Sequence, residues 1–160
     1  MDSELNALAE QVAESLAERQ WMLATAESCT GGWIAQALTA IAGSSVWFER
    51  GLVTYSNAAK QELLGVSADT LKTYGAVSEE AAREMASGIL ARSRAQVALS
   101  VTGIAGPTGG TAAKPVGTVC FAWVIADVAM ESQTLWFEGD REAVRRQSVI
   151  AALKGLLQRL

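Results

Sequence analysis

The chain of 160 residues is half apolar and 19% charged, a balance that suits a folded domain with a substantial core and excludes a disordered chain. Seventeen acidic against thirteen basic residues give a net charge of −4, which argues against a general nucleic-acid or membrane-surface binder. The chain contains no histidine, so a Ser-His-Asp or Cys-His arrangement within it is excluded, as is every histidine-ligated metal site. Any general base must therefore be Lys, Asp, Glu, Tyr or a substrate group. Two cysteines, Cys29 and Cys120, make neither a disulfide framework nor a Cys₄ zinc site, and they fit a reducing cytoplasm. The apolar run Val119–Ala126 is far too short to span a membrane, and the start, Met1-Asp2-Ser3-Glu4, has no signal-peptide character.

In chain order, Leu5, Leu8, Val12 and Leu16 recur at helical spacing, which predicts a first amphipathic helix between Asp2/Ser3 and Arg19. A strand at 21–26 leads into Ser28, and a helix leaves that loop and ends near Gly43. Val46–Tyr55 reads as a strand with a bulge or bend at Glu49-Arg50-Gly51. Ser56-Asn57 caps a short helix that Gly65 ends, and 65–75 reads as connection with a turn of helix. Ser78 caps a helix with Val77, Ala81, Met85 and Ile89 on one face, and Ala95–Ile104 is a buried strand. After a glycine-rich loop at 103–110, the segments 116–127 and 131–138 form a hairpin. Asp140 caps a last helix whose inward face carries Val144, Ser148, Ala151, Ala152, Gly155 and Leu156. These elements predict a single α/β domain over 1–160: a three-layer α/β/α sandwich around a mixed, mostly parallel sheet with a late antiparallel hairpin.

The stretch Thr25-Ala26-Glu27-Ser28-Cys29-Thr30-Gly31-Gly32 concentrates reactive side chains where a strand gives way to a helix. Two readings stand side by side: ordinary capping of a tight turn, and a site that offers free backbone N–H groups to an anion. Ser28 is the first candidate nucleophile, with the amides of Thr30, Gly31 and Gly32 as oxyanion donors. Cys29 competes with it, since a thiol at a helix start has a lowered pKa. Glu27 is either an acid–base group or a cap for the glycine turn. Lys60 falls in the first turn of its helix, where the macrodipole and burial would both lower its pKa; the plain alternative is a solvated surface lysine.

Loop 103–110, with Gly103 and Gly106, can cradle a phosphate through successive amides, although it is neither a Walker A nor a dinucleotide motif. Thr102 stands at the strand end that feeds this loop, the usual ligand edge of an open α/β sheet. Arg141 and Arg145 share a helix face at i, i+4, an arrangement eased by an anion between them or by pairing with Asp140 or Glu142.

Six separated motifs, in order, resemble the CinA C-terminal domain family: 25–32, 43–57, 74–78, 102–110, Lys-Pro-Val-Gly-Thr-Val (114–119) and Gly-Asp-Arg-Glu-Ala-Val-Arg-Arg (139–146). The resemblance implies an enzyme that hydrolyses the carboxamide of nicotinamide mononucleotide to nicotinic acid mononucleotide and ammonia, with no cofactor and no metal. It further implies Ser28 as nucleophile, Lys60 as its base, and Ser45, Tyr55 and Thr102 as supporting polar groups, with the phosphate on loop 103–110 or on Arg141 and Arg145. Longer family members carry an extra N-terminal domain, whose activities are not expected here. The expected partner is the small-molecule substrate, with no nucleic acid and no membrane, and a homodimer is compatible with the apolar edge strands. A nucleotide-binding module without catalysis is the rival reading, and a protein dependent on Cys29 is a third.

Overall fold

The computed structural model describes residues 2–160. The elements follow as α1 (Ser3–Arg19), β1 (Leu23–Glu27), α2 (Trp33–Thr39), β2 (Phe48–Val53), α3 (Asn57–Leu64), α4 (Ala68–Tyr74), α5 (Glu79–Ala91), β3 (Val97–Gly103), β4 (Thr118–Ile125), β5 (Ala129–Trp136) and α6 (Arg141–Arg159). A 3₁₀ turn at Ser44–Val46 precedes β2. Five of the six helices start on a side chain that accepts first-turn amides: Asp2, Ser56, Ser67, Ser78 and Asp140. The exception is α2, whose N-cap is Gly32.

The strands form one sheet in the order β2-β1-β3-β4-β5. β2, β1 and β3 run parallel, and β4 and β5 add antiparallel, as the late hairpin predicts. Because side chains alternate along a strand, the sheet separates two apolar layers. Leu23, Val97, Leu99, Val101, Val119, Phe121 and Trp123 pack with α1, α2 and α6. Ala24, Ala26, Ala98, Cys120, Ala122 and Val124 face α3, α4 and α5, and their small size lets α5 lie close to the strands. The fold is the expected α/β sandwich.

Several boundaries move. β1 starts at Leu23 rather than at 21, and α2 stops at Thr39 rather than near Gly43. The bulge in β2 falls at Glu49: Leu23 pairs with Phe48 and Ala24 with Arg50, which leaves Glu49 extra. Part of the connection 65–75 is a seven-residue helix, started by Ser67 and stopped at Gly75. The inward face of α6 also includes Val149 and Leu153, whereas Ala151 is half-buried. Among the described residues, no helix is long and apolar enough to cross a membrane.

Candidate active site

The three parallel strands end together, and their carboxyl ends deliver Ser28, Thr54-Tyr55 and Thr102-Gly103 to one crevice, as open α/β sheets do. The ladder continues one residue past β1 and β2: the Ser28 amide donates to Val101 O at 3.0 Å, and the Thr54 amide donates to Glu27 O at 2.8 Å. A cavity of about 260 Å³ opens there, just below the usual range for small-molecule sites. Ser28, Tyr55, Lys60, Thr102, Arg141 and the loop residues 103–106 are among its walls. A larger cavity of about 580 Å³ lies across Val77, between the start of α5 and Lys114, and neither Ser28 nor Lys60 reaches it.

Lys60 is the most telling residue. Ser56 caps α3 and sets the helix so that Lys60, on its first turn, points under the Ser28 loop. Its side chain is 1% exposed and has no carboxylate partner among the described residues. Nζ lies 2.9 Å from Ser28 Oγ, 2.9 Å from Thr54 O and 3.1 Å from Tyr55 O. Burial pushes its pKa below the ordinary lysine value. A neutral amine has two N–H donors and one lone pair; two carbonyls and one hydroxyl surround Nζ, a set that matches that inventory.

Cys29 also borders the cavity, but it is a buried thiol whose pKa is pushed up to about 12, first by desolvation and further by the Glu27 carboxylate. A thiolate at neutral pH, which the cysteine reading requires, is thereby disfavoured.

Glu27 is the cap that α2 lacks. Its carboxylate, 1% exposed, accepts from the Thr30 hydroxyl at 2.6 Å and from the amides of Ile34 and Ala35 at 2.9 and 3.0 Å. The helix start is thus occupied by this chain's own carboxylate and is closed to a substrate anion. Thr30, Gly31 and Gly32, expected to hold an oxyanion, do not line the cavity, and the Gly31 amide is spent on Ser28 O at 3.0 Å. The Cys29 amide, next to the nucleophile candidate, donates to no protein acceptor among the described residues.

Ser45 sits in the 3₁₀ turn at the amino end of β2, exposed, while the cavity is at the strand's carboxyl end. Six residues of strand put roughly 17–20 Å between the two. Within this chain Ser45 is not part of the cavity. Thr102 does border it, with Oγ1 donating to Ala76 O at 2.9 Å and so holding the wall at Ala76-Val77.

The two arginines turn to different loops. Arg141 donates to Gly106 O at 2.8 Å and to the Tyr55 hydroxyl at 2.9 Å, and it lines the cavity. Arg145 turns to the other loop, donating to Cys29 O and Thr30 O at 3.0 and 3.1 Å, and does not line the cavity. Each guanidinium faces carbonyl dipoles of its own loop, which relieves the i, i+4 repulsion. Arg146 is held by Asp2, whose carboxyl it brings down to about 2, and by Glu4. In loop 103–110 the amides of Ala105, Gly106, Thr108 and Gly109 have no protein acceptor among the described residues.

Asn57 and Val77 also line the cavity; the sequence marked them only as a helix cap and as part of a helix face, and Val77 in fact precedes α5, whose N-cap is Ser78. Asn57 had a readable signal: it lies three residues before Lys60 on the same helix, hence on the same face. Val77 had none, since its apolar spacing marks it as core.

Comparison with known proteins then places this chain. It belongs to the CinA C-terminal domain family, whose model matches residues 5–160. It is 54% identical over 157 residues to the nicotinamide-nucleotide amidohydrolase PncC of Escherichia coli (strain K12), covering 98% of this chain and 95% of that one. The PncC of Pseudomonas putida is 52% identical over 154 residues, 96% of each. The crystal structure of competence/damage inducible protein CihA from Agrobacterium tumefaciens superposes with a TM-score of 0.96 at 45% identity, covering 99% of this chain and 96% of that one.

Proposed function

We propose that this protein is an amidohydrolase acting on nicotinamide mononucleotide, and that Ser28 and Lys60 carry the reaction. The observation behind the mechanism is the environment of Lys60: a buried amine with two carbonyls for its N–H groups and a serine hydroxyl 2.9 Å from Nζ. The names of the close relatives support the substrate.

With Lys60 neutral, its lone pair takes the Ser28 proton as Oγ bonds to the carboxamide carbon. The carbonyl π pair moves to oxygen, next to the unpaired Cys29 amide. Collapse of the tetrahedral species breaks the C–N bond, and the proton on Lys60 leaves with ammonia. Water then attacks the acyl-enzyme by the same proton path, releasing the carboxylate and restoring Ser28. No histidine and no metal ligand enters these steps.

The phosphate would rest at the other end of the cavity, on the free amides of Ala105, Gly106, Thr108 and Gly109 with Arg141 above them. Arg141 keeps free N–H groups for it, since two contacts use two of five donors. Tyr55, anchored by Arg141, would bound the sugar.

The test is ammonia release from nicotinamide mononucleotide by the wild type and Ser28→Ala, with a chelator present. Release by the wild type alone supports the reading. No release by the wild type, with the mononucleotide still bound in calorimetry, replaces it with a binding module. Equal release by Ser28→Ala removes the nucleophile.

A further inference from the structure

We propose that Arg145 is a positioning residue for the nucleophile turn, acting on Ser28 through the backbone rather than on substrate. This rests on Ser28 being the nucleophile of the proposed reaction. Residues 28–31 form a tight turn whose side chains are held at Ser28 by Lys60 and at Thr30 by Glu27, and whose outward carbonyls are held by Arg145. Nε of Arg145 donates to Cys29 O and Nη2 to Thr30 O, so one rigid fork holds two consecutive peptide units. A trans peptide sets its N–H opposite its C=O, so fixing those carbonyls also fixes the amides of Thr30 and Gly31. The Gly31 amide in turn donates to Ser28 O at 3.0 Å. An unbroken path therefore runs from the guanidinium through the Thr30–Gly31 peptide to the residue that attacks.

Two further features fit this role. The Arg145 guanidinium carbon lies 5.6 Å from the centre of the Trp33 ring, so the side chain is backed by an aromatic face. Gly31 has φ +60, and a Cβ there would come within 3.3 Å of Nη2, so the bare glycine leaves the guanidinium its place. From the opposite side Glu27 holds the Thr30 hydroxyl and the first amides of α2. The turn is gripped between a carboxylate and a guanidinium, and only the guanidinium comes from a distant element, α6.

The test compares wild type, Arg145→Gln and Arg145→Lys by kinetics and by hydrogen exchange of peptides covering 28–33 and 103–110. The proposal expects kcat to fall about 10–100-fold in Arg145→Gln with KM nearly unchanged, the size of loss that a small misplacement of a reacting group produces. Lysine, with no planar fork, should restore little of it. In a further variant, Arg145→Ala, added methylguanidine should partly restore kcat, as a guanidinium returning to the two carbonyls would. Exchange at 28–33 should rise in Arg145→Gln while 103–110 stays as in the wild type. A wild-type kcat with unchanged exchange overturns the proposal, and so does a loss confined to KM, which would put Arg145 on substrate. The exchange result stands whether or not the wild type releases ammonia, so failure of the amidohydrolase reading and failure of this one are told apart. Should Arg145→Gln not fold, Arg145→Lys carries the same comparison.

Discussion

The two loops at the carboxyl edge of the sheet are built on opposite plans. Turn 28–32 is braced: Glu27 takes the amides of α2, Arg145 takes two carbonyls, and Ser28 O takes the Gly31 amide, while the Cys29 amide beside the nucleophile stays free among the described residues. Loop 103–110 is open, with the amides of Ala105, Gly106, Thr108, Gly109 and Gly110 unpaired among the described residues and Arg141 on one carbonyl. A group that must attack a carbon at a fixed angle needs a rigid mount, whereas a site for a phosphate needs donors left free. Both loops are glycine-rich, and only their partners separate the roles.

The largest effect that would break this comparison is at the base. Lys60→Arg should lower kcat/KM by about 10²–10⁴-fold, because a guanidinium cannot accept the serine proton near neutral pH. A robust Lys60→Arg enzyme in steady-state assays would end the Ser-Lys scheme.

The pH profile sharpens the same point. The lowered pKa of Lys60 means that kcat/KM should climb as pH rises through it, since the neutral amine is the active form. Stability should follow the same sign. Between the lowered folded pKa and the ordinary lysine value of about 10.4, the unfolded chain holds a proton that the folded chain has released, so folding gains as pH rises. Urea unfolding across pH should show that climb in the wild type and lose it in Lys60→Met; an identical slope in both would contradict a buried, depressed amine.

Gly31→Ala strikes the gripped turn itself. An alanine at φ +60 costs roughly 1–2 kcal/mol and presses on Arg145, so thermal unfolding should come at a lower temperature, with a parallel loss of kcat. Retention of both would show that the turn tolerates slack. The smallest effect is expected at Cys29. Its backbone serves the turn while its thiol is buried and protonated, so Cys29→Ala should keep activity within about twofold and iodoacetamide should react slowly at neutral pH.

Much of this architecture was legible in the chain, for reasons tied to particular residues. Asp2, Ser56, Ser78 and Asp140 announced their helices because an N-cap is a local device. Glu49-Arg50-Gly51, a polar and glycine-bearing break inside an apolar strand, pointed to a bulge or bend, and the bulge falls on the first of the three. What the chain hid was three-dimensional traffic between distant elements. Spacing alone left Lys60 an ordinary surface lysine, because its burial depends on β2 ending beside β1. Glu27 could be an acid–base group or a cap, and Arg145 an anion ligand or an ion-pair partner, since a charged side chain near glycines reads the same whether it faces a cavity or a backbone. Ser45 lay beside a strand, but at the far end of it.

The division of labour between the loops is tested most directly by calorimetry of nicotinamide mononucleotide on Ser28→Ala and on the Ser28→Ala/Arg141→Ala double variant. Loss of the serine hydroxyl should leave the Kd within about threefold of the wild-type value, and loss of the guanidinium should then weaken it about 10–100-fold, the worth of a charged hydrogen bond. Equal affinity in the two variants would contradict the account, because the phosphate would then lie somewhere other than loop 103–110.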